Sequence, residues 1–451
     1  MKIKLYRSAT VGIDFGNFKI LTDPWLTDGE YYGSWSHYPY FDINLNLEEL
    51  NSYDVIYVSH IHPDHCSENT LKKLNKNIPI LIHKFHSPFL KNKLQRIGFN
   101  KILELENGIK KDITKDLGIT IYAADNCDPM LCYKFTGCAN LDLKNSTQQI
   151  DTLSVIEYKN NTLINVNDCP FSLAKHPLNI INQNYKKIDV LLTGYGGAGP
   201  YPQCFDNLSY KEKIKEADIK KRSFLDQAHN YIKLLKPQYY LPFAGTYVLS
   251  GHLSKKQKIR GVPTLAETYK FLDDKLKIEP ETKHIKSIKI GPDETFNFND
   301  PKNNKEYLKL DFEKQEKYIA DVLSKRKFDY EVDAYPSKKE IQILADKAFE
   351  NFKNKKIFQN SKIDTDILIN CDDYTILLPF DEDNIRIEKK NYIPKRNFLK
   401  LSLDIRLLKR ILMGPKFGHW NNAEIGSHIS YFRSPNIFNR NLHLSLCNFH
   451  C

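Results

Sequence analysis

No stretch of this 451-residue chain approaches the roughly 18 consecutive apolar residues of a membrane-spanning helix. That absence excludes a membrane span. The opening "MKIKLYRSATVGIDFGNFKI" has no continuous apolar segment and alternates like strands, so it reads as folded structure, not as a signal peptide. Low-complexity tracts and internal repeats are missing too, which excludes a solenoid or a disordered tail. There is no long basic block: 66 Lys and Arg are interleaved with 55 Asp and Glu, for a net charge of +11. Scattered charge without a basic–aromatic stripe argues against nucleic acid as a partner, while the positive balance suits an acidic small molecule. The nine cysteines are odd in number and dispersed, the pattern of reduced thiols rather than of a disulfide framework. The expectation is a soluble, cytoplasmic protein.

Length exceeds one typical domain, and 41% hydrophobic residues suffice for a well-formed core. The first part alternates strands with helices. "KIKLYR", "TVGIDF", "FKILTD", "DVIYVSH", "IPILIHK", "GITIYAAD", "TLSVIEYKN", "TLINVND", "IDVLLTGYGG" and "QYYLPFAG" read as strands. Helices are expected after Ser67, after Ser87-Pro88, over Leu208 to Leu235 and over "TLAETYKFLDDKL". The polar run "FNFNDPKNNKE" marks a boundary between residues 1–298 and a C-terminal α+β unit, 299–451. In that second unit, Leu401, Ile405, Leu408 and Leu412 fall on one helical face that Gly414-Pro415 ends. Its role has two options: capping a site in the first unit or building a homo-oligomer.

Of only 14 histidines, three lie in "SHIHPDHC", within six positions, directly after a strand. Side chains of an extended segment alternate, so His60 and His62 point the same way, and Asp64 and His65 fall in the next turn. Two imidazoles can share one metal, while a carboxylate and a third imidazole reach a second ion roughly 3.5–4 Å away. Neutral imidazole and carboxylate suit zinc, iron or manganese better than calcium or magnesium.

"HIHPDH" after a strand, with "ILTDPWL" upstream, resembles the metallo-β-lactamase superfamily. The resemblance implies a four-layer αββα sandwich with two divalent metals at one edge, zinc first, iron or manganese as alternatives. It implies His60 and His62 on one metal, Asp64, His65 and His252 on the other, and Asp168, at the end of "TLINVND", as the bridge. The usual third histidine of the first metal is missing, and Asp125 in "GITIYAADNCDP" takes its place. Further blocks, "IDTLSVIEYKNNTLINVNDC", "VLLTGYGGAGPYPQCF" and "LKPQYYLPFAGTYV", resemble the catalytic region of the CMP-N-acetylneuraminate hydroxylase family. That family also carries a Rieske iron–sulfur domain, which needs a C-x-H and a C-x-x-H pair. No cysteine here is followed by histidine two positions on, so no Rieske cluster is expected in this sequence.

The glycine-rich turn after "IDVLLT" presents Tyr195, Gly196 and Gly197, whose backbone N–H groups suit an anionic oxygen. Lys255 and Lys256, just past His252, would attract the same charge. Trp420 and His419 in "FGHWNN" either line a lid or pack a core. Three functions follow: a metal-dependent hydrolase of an anionic sugar or nucleotide-sugar-like substrate, with Asp64 and Asp168 catalytic; a diiron oxygenase served by a separate electron-donor protein; or a nuclease of the same fold.

Overall fold

Alternation in "KIKLYR" sends Ile3 and Leu5 into the interior and leaves Lys2 and Lys4 at the surface, the signature of a strand with one face on a core. The computed structural model describes residues 1–124, 150–301, 310–358, 364–439, 442 and 445–451. Asp125, the expected ligand of the first metal, lies outside the described residues.

Two seven-stranded sheets face each other, and a separate short pair joins β4 (Trp35–Ser36) to β14 (Val248–Leu249). The first contains β1 (Lys2–Arg7), β2 (Thr10–Asp14), β3 (Lys19–Thr22), β5 (Val55–Tyr57), β6 (Ile80–His83), β7 (Ile102–Leu105) and β16 (Glu294–Asn297), in the order β16-β1-β2-β3-β5-β6-β7. The second contains β8 (Lys111–Thr114), β9 (Leu117–Ala123), β10 (Thr152–Tyr158), β11 (Asn161–Asn165), β12 (Val190–Gly194), β13 (Tyr239–Phe243) and β15 (Lys286–Ser287), in the order β15-β13-β12-β11-β10-β9-β8. Between them Ile3, Val11, Ile13, Ile20 and Leu81 meet Ile119, Ile121, Leu163, Leu192 and Leu241. Each such side chain contributes about 1.5–3 kcal/mol on burial.

Outside the first sheet, Leu71, Leu90 and Leu94 pack down from the helices Glu68–Lys73 and Phe89–Ile97. Outside the second, Leu178, Ile232 and Leu272 do so from Lys175–Asn184, Tyr210–Leu235 and Leu265–Ile278. This is the expected four-layer αββα sandwich. Ser67 caps the first helix by accepting from the Thr70 N–H. Ser209 and Glu212 form a reciprocal capping box on the long one.

Strand β16 returns the chain to the first sheet before the C-terminal region begins. There a five-stranded sheet runs in the order β19 (Arg386–Lys389), β18 (Tyr374–Leu378), β17 (Asp366–Asn370), β20 (Phe398–Ser402), β21 (Ser430–Ser434). The expected helical stripe from Leu401 is corrected here: Leu401 sits in β20, and the helix starts only at Ile405, capped by Asp404. "FLKLS" alternates as well as it spirals, and pairing with β17 and β21 decides for strand. Ile405, Leu408 and Leu412 are buried as the stripe requires.

The C-terminal core shares Cys204, Phe205 and Leu253 with the sandwich. Phe205 stacks on Tyr431 at 5.0 Å, and Arg326 reaches Asp28 at 2.6 Å. Among the described residues no helix is long and apolar enough to cross a membrane.

Among the described residues, His37, His83, His229 and His428 are buried away from the metal cluster described below. Burial pulls His37 and His428 down to about 3 and His83 to about 4, all below the ordinary 6.5. The unfolded chain therefore binds protons that the folded chain refuses. Their contribution is fully present above pH 6.5 and is lost as pH falls toward the folded values, at about 1.4 kcal/mol per pH unit for each ring once the unfolded histidines are protonated. Metal-stripped protein should show a urea midpoint that falls steadily between about pH 7 and about pH 5. A flat midpoint would contradict the buried, neutral state of these rings.

Candidate metal centre

The cluster hangs from the end of β5. The Ser59 N–H donates to Asp23 Oδ1 at 2.7 Å, and the Ser59 hydroxyl donates to Asp23 Oδ2 at 2.8 Å. Thr152 of β10 donates its hydroxyl to the Ser59 carbonyl at 2.9 Å, which ties the loop to the opposite sheet. His60 and His62 then point the same way, as period-2 alternation requires, with His60 Nε2 and His62 Nδ1 2.9 Å apart. The chain folds back at once: the N–H groups of His65 and Cys66 both donate to the His62 carbonyl. That turn brings Asp64 and His65 beside the pair.

Asp168 arrives from the other sheet. After β11, Asn167 adopts a left-handed φ of 52°, its N–H bound to the Asn165 side chain and its amide to the Thr152 carbonyl. This turn aims Asp168 at the histidines. Its Oδ1 lies 3.7 Å from His60 Nε2, and its Oδ2 lies 3.5 Å from His65 Nε2. His65 Nε2 is also 3.7 Å from Asp64 Oδ2. One ligand atom each from His60, His62 and Asp168 lies within 4.8 Å of the others.

The electrostatics suit a cation. Burial pulls the His60 ring down to about 3, so it is neutral with a lone pair free to coordinate. Burial raises the Asp168 carboxyl, but His65 and His60 outweigh it and hold the group ionised. Burial also lowers His65, and there Asp168, Asp64 and Asp23 win and hold its proton well above the ordinary range. Asp168 Oδ1 is buried and has no hydrogen-bond partner. A buried carboxylate oxygen without a donor, facing two imidazoles, is a site that a divalent metal satisfies. The donor set of nitrogen and oxygen fits zinc, iron or manganese.

Several contributors are not among the site residues expected from the sequence. Asp23 lies inside "ILTDPWL" and is fully buried, with His65 Nδ1 2.9 Å from its Oδ2. Tyr31 donates its hydroxyl to Asp64. It does so from a run of left-handed residues, Gly29, Tyr31, Tyr32 and Gly33, with φ of 102°, 51°, 61° and 94°. For tyrosine that conformation costs on the order of 1 kcal/mol per residue and persists only where packing imposes it. Here His428 Nε2 is 2.8 Å from the Tyr31 carbonyl, and Trp35 packs on the Tyr31 ring. Asp151 is half-buried nearby, and its desolvation with the Asp168 charge pushes its carboxyl up to about 8.

Asn421 comes from the C-terminal region, with its Nδ2 3.5 Å from His62 Nε2. His419 caps the short helix Trp420–Ile425 that carries it, and Trp420 is buried with its indole N–H donated to the Phe449 carbonyl. "FGHWNN" thus builds both a core and part of the site's wall. Asn421→Ala should weaken metal retention about tenfold, the size of an outer-partner effect, with little change in the urea midpoint. Unchanged retention in a chelator competition would remove Asn421 from the site.

The structure does not bring His252 to the cluster. At Gly251, φ 59°, the chain enters a tight helical run, Gly251–Ile259, that sends His252 outward. Its ring packs on Phe328 at 4.9 Å, and its charged neighbours are Glu331, Lys256, Asp404 and Lys255. Lys256 also turns away, toward Cys204 and the Ser427 carbonyl at 3.3 and 3.2 Å. Gly196 is buried, and a Cβ there would meet the Gly245 Cα at 2.7 Å. Its lack of a side chain lets two strand-end loops touch. Tyr195 and Lys255 line a cavity beside the site, and Gly197 packs on Phe224.

Residues 2–156 match the beta-lactamase superfamily domain. Cytidine monophosphate-N-acetylneuraminic acid hydroxylase of Mus musculus is 28% identical over 265 residues, which is 57% of this chain and 41% of the hydroxylase. The Xenopus laevis hydroxylase is 29% identical over 258 residues, 55% of this chain and 38% of its own. The chain therefore spans about two fifths of these curated relatives. Among solved structures, an isothiocyanate hydrolase from Delia radicum gut bacteria aligns with a TM-score of 0.45 at 16% identity, over 66% of this chain and 99% of its own. The four-layer αββα fold of this chain thus begins with a segment, residues 2–156, that matches the beta-lactamase superfamily domain, and 57% of the chain is similar to part of the CMP-N-acetylneuraminate hydroxylases.

Proposed function

We propose that this chain is a dinuclear-metal hydrolase acting on an ester, amide or phosphodiester of an anionic, sugar-like small molecule. The observation that supports it is the convergence of His60, His62 and Asp168, with the two oxygens of Asp168 facing His60 on one side and His65 on the other. In this reading His60 and His62 would hold one ion, Asp64 and His65 would hold a second, and Asp168 would serve both. Residues 1–298 form the catalytic unit, and residues 299–451 close one wall through Asn421.

When bound, two such ions lower the pKa of water toward about 7 and polarise the oxygen under attack. The chain supplies the rest. Burial keeps His60 unprotonated, so its lone pair is available. Asp64, fixed by the Tyr31 hydroxyl, is placed to accept a proton from the attacking water. Arg260 and Lys255 line a cavity that the Tyr247, Trp35 and Tyr31 rings connect to the centre.

A second reading, hydroxylation at a diiron centre, is favoured by the sequence similarity to the hydroxylases. It needs an electron donor, and this sequence contains no C-x-H pair to hold a Rieske cluster. The deciding experiment compares zinc-loaded and iron-loaded protein. Hydrolysis of anionic sugar esters or amides by the zinc form supports the first reading. Oxygen uptake by the reduced iron form, without hydrolysis by either form, overturns it in favour of the second.

A further inference from the structure

A cavity of about 850 Å³ lies beside the metal cluster, between the loop after β13, the run 254–266 and the helix Phe312–Asp321. None of His60, His62, Asp64, His65 or Asp168 lines it. Its volume is that of a small-molecule site. Its charge is one-sided. Among the described residues, Arg260, Lys221, Lys255 and Lys258 line it against the single acid Glu316, which Lys258 already neutralises at 2.8 Å. Lys221 is 3.4 Å from Glu267, and Lys255 makes no ion pair among the described residues.

Arg260 is the unusual group. It is only 8% exposed, its Nη1 is buried without a hydrogen-bond partner, and no carboxylate among the described residues pairs with it. The Tyr247 ring lies 4.1 Å from the guanidinium carbon, which offsets only part of the cost of burying the charge. A buried guanidinium that lines a cavity and has no carboxylate partner among the described residues matches a planar or tetrahedral oxyanion. Phe312 and Ile319 give the same cavity an apolar wall.

From this we infer that the cavity is a binding site for a small organic anion, its phosphate or carboxylate on Arg260 with Lys255 and Lys221 beside it, and its apolar body against Phe312 and Ile319. A chain of ring contacts runs from the site to the cluster. Tyr247 stacks on Trp35 at 3.4 Å, Trp35 packs on Tyr31 at 4.6 Å, and Tyr31 binds Asp64. The inference does not depend on which reaction the cluster performs.

The test is calorimetric titration of the full chain with inorganic phosphate, phenyl phosphate and benzoate. One saturable site is expected. Tighter binding of phenyl phosphate assigns a phosphate ligand, tighter binding of benzoate a carboxylate, and either supports the site. Arg260→Gln should weaken binding at least about tenfold, and Lys255→Gln a few-fold. His60→Ala should bind as the wild type does, since the anion does not sit on the cluster. Absence of saturable binding up to about 10 mM, equal affinity in Arg260→Gln, or loss of binding in His60→Ala overturns the proposal. If Arg260→Gln does not fold, the double variant Lys221→Gln/Lys255→Gln decides: weakened binding supports the site, and unchanged binding refutes it.

Discussion

His60→Ala is expected to strip metal from the protein and to abolish turnover. The expected loss of metal affinity exceeds the roughly 10–100-fold seen when only an outer partner of a ligand is removed. His60 sits where the geometry converges: its Nε2 faces His62 at 2.9 Å and Asp168 at 3.7 Å, and the ring is buried. Alanine removes a donor that no neighbour replaces. The fold should survive, because the loop is held mainly from Ser59 by Asp23 and Thr152 rather than by the imidazole. Equilibrium dialysis with metal analysis, beside a far-ultraviolet dichroism spectrum, reads both parts. Wild-type metal content in a folded His60→Ala protein would remove this residue from the centre.

Asp23→Ala has the largest expected effect on stability. Its carboxylate is fully buried and satisfies three groups at once: the Ser59 N–H, the Ser59 hydroxyl and His65 Nδ1. Removing one partner of a buried charged pair leaves the other stranded, at a cost of about 3–5 kcal/mol. The Ser59 N–H loses its acceptor as well. Asp23 also anchors the start of the loop, since its own N–H donates to the Tyr57 carbonyl and the backbone there has a φ of 42°. Asp23→Asn keeps the shape and an acceptor and should cost roughly half as much. Urea unfolding of the metal-free proteins measures this. A change below about 0.5 kcal/mol for Asp23→Ala would mean that the buried network contributes little. The same variant should lose metal, because His65 then has no fixed orientation.

The two sheets were legible because each strand carries its own period-2 pattern or a short apolar run bounded by turn residues. "SHIHPDHC" was legible because alternation and a tight turn are local properties, and Asp168 because "NVND" follows a strand. What failed was long-range or conformational. His252 follows β13 in sequence, but nothing in "VLSGHLSKK" signals that the chain enters a tight helical run at Gly251 and turns the imidazole toward Phe328. Leu401 fits a helical stripe and a strand equally well, and only its neighbours in the sheet decide. Asp23, Tyr31 and Asn421 were not readable because each acts across a large sequence separation. Asn421 meets His62 from 359 positions away. Asp23 had a visible clue, an acid directly after a buried strand and before proline, and Tyr31 had one in the glycine-flanked "DGEYYG".

The most direct test of the central claim is X-ray absorption at the metal edge of metal-loaded wild-type protein. With a centre built from His60, His62, His65, Asp64 and Asp168, the spectrum should show nitrogen and oxygen ligands only. It should carry the outer-shell scattering of imidazole rings and a metal–metal distance of about 3.5–4 Å. Sulfur in the first shell, or a spectrum without imidazole scattering, would contradict the assignment of this cluster as the metal centre.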